Sequence, residues 1–224
     1  MMYYPYVNVY RQNTPNDHNR ANQVMTVVGN GSVSVQPDIA NVELGVMTEN
    51  VSLLEAQQAN AEAMNQVIEA LLRLGIPREN IQTTSYTVNP RYDFVDGEQI
   101  FRGYQVTNLI SVSITAIDQI GSILDAAVES GANQVNSIQF TVQNSDAYKQ
   151  QALQEALANA QGKANALATS MQVNLNPIPF RIKELSETMP IPFSKMALSA
   201  EAAATPIEPG ELEIRANLEV KFQY

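Results

Sequence analysis

The sequence predicts an α+β fold, mostly antiparallel sheet with helices layered on one face, in the element order ββαββαβαββ. Three observations carry that prediction. The segment Leu212, Ile214, Ala216, Leu218, Val220, Phe222 alternates with polar residues, the period of a strand with one wet face. Other stretches place their apolar residues at helical spacing. Asp96-Gly97, between two long β-rich runs, is the dipeptide best suited to a tight hairpin.

The elements follow in order. From Val24 to Val35 β-branched residues are broken by Gly29 and Gly31, and Gln36-Pro37-Asp38 supplies a turn. Ala40, Val42, Leu44 and Val46 then alternate with Asn41, Glu43 and Gly45, so these two segments are expected to pair. Ser52 and Glu55 form a capping box, and Leu54, Ala61, Met64, Ile68 and Leu71 recur at helical spacing. Gly75 stops this helix and Pro77 prevents its return. A strand from about Asn80 to Tyr92 leads to the hairpin turn, and the chain returns through Phe101 to Thr115 with Tyr104, Val106, Ile110, Val112 and Ile114 on one face. The pair is expected to be a long hairpin buried on one side.

Asp118 opens a short helix with a stripe of Ile117, Ile120, Leu124 and Ala127, closed by Gly131. A strand carrying Ile138, Phe140 and Val142 precedes Ser145, the expected cap of a long Ala-rich helix. Its inner stripe reads Leu153, Leu157, Ala160, Ala164, Leu167 and Met171, and Pro177 and Pro179 end it. Phe180 to Leu185 reads as another strand, and the alternating C-terminal segment closes the fold. Between those two lies Glu187 to Gly210, a long loop with Met189, Ile191, Phe193, Met196 and Leu198. Apolar residues in such a loop are expected to pack, over their own core or onto a second subunit.

Hydrophobic residues make up 45% of the 224 and charged residues 16%, which places the chain among packed globular proteins. The net charge of −10, with no basic run, excludes a phosphate-binding surface, so no nucleic-acid partner is expected. No apolar stretch reaches spanning length, and no membrane insertion is expected. The absence of cysteine removes disulfides and thiolate metal sites, and the single histidine, His18, lies in a polar tail where nothing would hold an imidazole for catalysis. Residues 1–23 read as a disordered, Tyr-rich tail (Tyr3, Tyr4, Tyr6, Tyr10) and residues 24–224 as the folded domain. The leader lacks the apolar segment of a secretory signal, so a cytoplasmic location is expected.

Each apparent motif has a plainer structural reading. Gly29-Asn30-Gly31 lacks the third glycine and the following helix of a dinucleotide loop, and reads as a bulge or a close backbone crossing. Gly162-Lys163 falls inside a helix, away from any phosphate cradle. Asp93, Asp96 and Glu98 do not have calcium-loop spacing and read as a solvated turn. Glu208, Glu211 and Glu213 are no acid/base pair, because the last two lie on the wet face of a strand. Met189 and Met196 are candidate oxidation targets in the long loop. No catalytic, cofactor-binding or metal-binding residue is assigned.

The run VVGNGSVSVQPDIANVELGV, Val27 to Val46, resembles the opening of SIMPL (DUF541) proteins: Gly-x-Gly strand, Pro-Asp, alternating strand. The resemblance continues through TTSYTVNPRYDF, GYQVTNLISVSI, LDAAVESGANQVNSIQFTV, EALANAQGKANALA and TPIEPGELEIRANLEV, covering nearly all of Val24 to Tyr224. It implies an α+β fold, homo-oligomers, sometimes ring-like or channel-like, and no established catalytic residues. The family includes bacterial periplasmic immunogenic and oxidative-stress-defence proteins and is similar to a mammalian signalling adaptor. The function expected is therefore a non-enzymatic, self-associating assembly or adaptor protein linked to stress response or the cell envelope, without a cofactor. A periplasmic or cell-surface location is the alternative that the resemblance implies. The competing class is a small-molecule binder or enzyme with a pocket between sheet and helices.

Overall fold

The computed structural model describes residues 23–185, 191–193 and 205–224. Among them the strands are β1 (Val24–Val35), β2 (Ile39–Asn50), β3 (Ile81–Val95), β4 (Glu98–Ile114), β5 (Gln134–Thr141), β6 (Arg181–Leu185), β7 (Ile191–Phe193) and β8 (Glu211–Gln223). The helices are α1 (Leu53–Arg73), α2 (Ile120–Glu129) and α3 (Ser145–Met171), with single 3-10 turns at Arg78–Asn80 and Ile117–Gln119. The fold is α+β, and its order is the expected one with β7 added inside the long loop.

The strands form two antiparallel sheets. One runs β1-β8-β6, with β7 also on β8; the other runs β3-β4-β2-β5. The expected pairing of β1 with β2 does not occur: β1 lies along β8, Val24 opposite Gln223 and Val35 opposite Leu212, while β2 lies between β4 and β5. The connector carries the chain from one sheet to the other. Asp38 N–H donates to the Thr141 carbonyl and its Oδ1 accepts the Gln143 N–H at 2.7 Å, tying the turn to the end of β5 instead of closing a hairpin.

Each sheet is covered on one face. Ala40, Val42, Leu44 and Val46 of β2 and Ile110, Val112 and Ile114 of β4 face Met64, Val67 and Leu71 of α1 and Ile120, Ile123, Leu124 and Ala127 of α2. Full burial of a Val or Leu side chain contributes about 1.5–3 kcal/mol, so this cluster is a main source of stability. In the other sheet Met25, Val27, Leu218, Val220 and Phe222 lie under Ala152, Ala156, Ala160, Ala164 and Ala168 of α3. A small third cluster, Val142, Leu212 and Ile214, joins the two halves near the connector.

Local chemistry explains the helix ends. Ser52 Oγ accepts the Glu55 N–H, while the Ser52 N–H is taken by Asn50 Oδ1 at 2.9 Å, so Asn50 supplies the second half of the cap that Glu55 was expected to make. Gly75, at φ 84°, ends α1 as expected. The buried stripe of α1 is Ala56, Asn60, Met64, Val67, Ala70 and Leu71; Leu54, expected inside, is 64% exposed because at about 3.6 residues per turn it lies on a different face of the helix from that stripe. Asn144, one residue before the expected Ser145, caps α3 through Ala147 N–H. Gln172 in the left-handed region ends α3 ahead of Pro177 and Pro179. The buried stripe of α3 is its alanines at every fourth position, and Leu167 and Met171, expected within it, are exposed.

Within the Glu187 to Gly210 loop, β7 pairs its backbone with Glu211 to Glu213 of the same chain. Thr205 hydrogen-bonds Asp125 of α2, and Ile207 packs against the α1/α2 core. Met189, Met196, Leu198, His18 and the four tail tyrosines lie outside the described residues.

Candidate functional site

The glycine pair is a close crossing, not a bulge, since β1 keeps unbroken register with β8 through Gly29 and Gly31. A Cβ on Gly29 would run into the Ala156 carbonyl oxygen and one on Gly31 into that of Ala152. Backbone-to-backbone approach is what the Gly-x-Gly spacing and the alanine stripe jointly permit. The same approach lets α3 protect the free edge of β1: Asn159 Oδ1 accepts the Asn30 N–H at 3.2 Å, and Lys163 Nζ donates to the Val28 carbonyl at 2.7 Å. Gly162-Lys163 is thus helical, with its lysine on a strand edge.

The acidic candidates are scattered. Asp93 accepts a hydrogen bond from Arg102 Nε at 2.7 Å, across the hairpin whose turn holds Asp96 and whose return strand starts at Glu98. Among the described residues no three His, Cys, Asp or Glu side chains are grouped to hold a metal ion. Glu208 is exposed, and Glu213 is paired with Arg215 two residues along β8. The Arg215 hydrogen bond holds the Glu213 carboxyl below its usual range against the opposing effect of burial, with further help from the Arg215 charge and Ser32; the Arg215 guanidinium is correspondingly raised. Asp125 is lowered by hydrogen bonds from the Thr205 hydroxyl and backbone N–H.

The surface hollows are open and polar. One of about 600 Å³ is lined by Gln23, Gln172, Asn174, Asn176, Gln223 and neighbours, and another of about 410 Å³ by Asn30, Ser32, Glu213, Arg215 and Asn217. Neither brings together a nucleophile, a base and an oxyanion donor.

The outstanding surface feature is the β3/β4 hairpin. β2, the strand that backs it, has 12 residues, against 15 in β3 and 17 in β4, and its last residue, Asn50, pairs with Tyr104. Past that point the hairpin leaves the sheet as a two-stranded arm, which corrects the expectation of one buried face along its whole length. The face that carries buried Val106, with Val88 opposite, continues outward as Pro90 opposite Tyr104, then Tyr92 opposite Phe101 and Phe94 opposite Gln99. Tyr92, Phe101 and Tyr104 stack edge to face, with centroids 5.6 and 5.3 Å apart, while Phe94 is 76% exposed. Ile100 and Val95 are also exposed on this arm. Asp96 and Gly97, both at positive φ, make the tight turn, so the arm is a hydrogen-bonded ribbon to its tip.

Sequence reasoning located the hairpin and its turn but did not single out Tyr92, Phe94 or Phe101. The signal that could have found them is length: the two runs beside Asp96-Gly97 exceed the segment that could back them.

Comparison with known proteins adds identity. Residues 25–222 match the family described as SIMPL, protein of unknown function (DUF541). The chain is 31% identical over 210 residues, 89% of its length and 84% of the relative's, to the 26 kDa periplasmic immunogenic protein of Brucella melitensis. It is 32% identical over 178 residues to uncharacterized protein YggE of Escherichia coli, covering 78% of this chain and 71% of that one. The YggE of Edwardsiella ictaluri is 28% identical over 179 residues, covering 78% and 74%. No helix among the described residues is long and apolar enough to cross a membrane. With a match spanning nearly all of the folded chain and relatives above 30% identity, the protein belongs to the SIMPL (DUF541) family.

Proposed function

We propose that the protein is a non-enzymatic, self-associating assembly or adaptor of the SIMPL family, linked to the cell envelope or the stress response. The arm carries this reading. It holds Tyr92, Phe94 and Phe101 out in water on a ribbon with a tight turn. Removing such surface from water is favourable by about 25 cal/mol per Å². A ribbon already fixed by its ladder loses little conformational freedom when it docks. The occupant best matched to a feature built into every chain is a second copy of that chain.

Molar mass in solution tests the reading. Light scattering at micromolar concentration is expected to give a multiple of the 24.6 kDa chain mass. Phe94→Ser with Phe101→Ser is expected to lower the mass without changing the circular dichroism. A monomeric wild-type chain overturns the proposal. The word periplasmic in the name of the Brucella relative supports an envelope-side location over the cytoplasmic one. Fractionation of source cells counts against that location if the chain travels with cytoplasmic enzymes.

A further inference from the structure

β6 carries an apolar stripe that nothing among the described residues covers. Ile182 sits opposite Val220, which is buried with the alanines of α3, so Ile182 points to the helix side of its sheet. Phe180, two residues earlier, shares that side, and its N–H donates to the Lys221 carbonyl before β6 begins. Ile178, Phe180 and Ile182 are nevertheless 74%, 52% and 48% exposed. The position of α3 is the reason. One side of the helix turns Asn159 and Lys163 toward β1, and on the other Lys149 reaches Glu184 of β6 at 3.4 Å. On that second side Gln161 and Asn165, with Leu175, Pro177 and Phe222, enclose a hollow of about 140 Å³. A groove thus separates α3 from β6, with an apolar floor and amide groups on its helix rim.

The polypeptide that precedes β1 enters beside this groove. Tyr224 N–H donates to the Gln23 carbonyl, and Gln23, Gln172 and Tyr224 border the hollow of about 600 Å³ at the end of the sheet where Arg181 faces Lys221. From β1 across β8 to β6 is two strand spacings, about 10 Å. Residues 11–22, when extended, reach about 40 Å. Residues 1–10 can therefore lie along Ile178 to Ile182. Their composition suits the place: they carry no charged side chain and hold Tyr3, Tyr4, Tyr6, Val7, Val9 and Tyr10, whereas Arg11, Asp17 and Arg20 all fall in the connecting part. A tyrosine lays an apolar ring on such a floor and brings its hydroxyl to amides such as those of Gln161 and Asn165. The segment after β6 is less well placed. It leaves from Leu185, opposite Asn217, and β7 pairs still nearer the Glu211 end of β8, away from Ile178.

We infer that residues 1–10 seat in the groove between α3 and β6 of their own chain, with tyrosine rings over Ile178, Phe180 and Ile182. This is independent of the self-association proposed above, which uses the β3/β4 arm. Seated there, the segment covers the apolar stripe that α3 leaves bare at the β6 edge, and whatever draws it away uncovers that stripe.

The chain has no cysteine of its own, so an introduced pair reports contact. Tyr6→Cys is combined in the full-length chain with Ile178→Cys and, as a control on another exposed apolar surface, with Ile100→Cys on the arm. Under a mild oxidant at micromolar concentration the Ile178→Cys pair is expected to close an intrachain disulfide about tenfold faster than the control, because docking raises the local concentration of the tail. In denaturing urea that preference is expected to vanish. Equal rates in the native protein overturn the inference. So does a disulfide that joins two chains in place of closing within one, which would put the segment on a second copy. An apolar dye such as anilinonaphthalene sulfonate gives a second readout on the full-length chain. Tyr3→Ser, Tyr4→Ser, Tyr6→Ser and Tyr10→Ser together are expected to raise dye fluorescence severalfold, and adding Phe180→Ser with Ile182→Ser to remove the rise. Dye fluorescence that the tail substitutions leave unchanged overturns the inference, and a rise that survives the β6 substitutions does the same by placing the tail elsewhere.

Discussion

Gly29 of β1 lies directly beneath Ala156 of α3, so close that a methyl group added to the glycine would meet the Ala156 carbonyl oxygen and stand 2.8 Å from Ala160 Cβ. The obstruction is helix backbone, which cannot swing aside as a flexible side chain would. Gly29→Ala is therefore expected to cost roughly 3 kcal/mol, a fall in Tm of roughly 6–12 °C for a chain of this size. Gly31→Ala, against the Ala152 carbonyl, is expected to behave alike. Thermal unfolding of both variants checks this, and unchanged melting temperatures would show that α3 can lift from the sheet without loss.

Gly162 gives the opposite expectation at the same helix. It lies inside α3, and a methyl group added there would have nothing within 4 Å. Gly162→Ala is expected to stabilise the chain by about 0.5–1 kcal/mol, from helix propensity and reduced freedom of the unfolded state. Urea midpoints that fall instead would place a neighbour over this face.

Asp125 ties α2 to the segment before β8, accepting the Thr205 hydroxyl at 2.6 Å and the Thr205 N–H at 3.2 Å. Those bonds lower its pKa. A group with a depressed folded pKa adds stability that is present above its unfolded value, about 3.9, and lost as pH falls through the folded value. Asp125→Asn keeps an acceptor but removes the charge. Its urea midpoint is expected to lie below the wild type at neutral pH, with the gap closing below about pH 4. A gap that persists in acid would mean that the loss is steric.

Asn60 is fully buried on the inner face of α1, its Nδ2 donating to the Val46 carbonyl at 2.9 Å and the Val106 carbonyl at 3.2 Å. Asn60→Asp would set a carboxylate against two carbonyl oxygens, and a buried charge without a partner costs about 3–5 kcal/mol. Asn60→Ala forfeits two hydrogen bonds but also removes the unpartnered Oδ1, so its loss is expected to be smaller, about 2 kcal/mol. Denaturation at neutral and acid pH separates the two: the Asp loss is expected to shrink as the carboxyl protonates. Equal losses at neutral pH would show that water reaches the site.

Much of the fold was legible because its signals are local. Ser52 at the N-cap, Gly75 and Gly131 at positive φ, and Asp96-Gly97 in the hairpin turn each did what their chemistry dictates. Strand pairing was less legible. The partner of β1 lies almost two hundred positions away in β8, and three residues between two β segments look like a hairpin whether or not they make one. The buried face of α3 was also ambiguous. Its leucines outrank its alanines in hydrophobicity, yet only alanines fit where Gly29 and Gly31 bring the sheet against the helix.

From residue order alone came the class, the succession of strands and helices, and the family, because hydrophobic period, caps and turns depend on neighbours within a few positions; that the glycine pair is a close crossing and not a bulge was decided by the register of β1 on β8. Tertiary structure alone decided that there are two sheets and that the hairpin outruns the strand behind it. Those facts depend on which segments stop where in space, and that is also why the rings of the β3/β4 arm stand exposed beyond the end of β2.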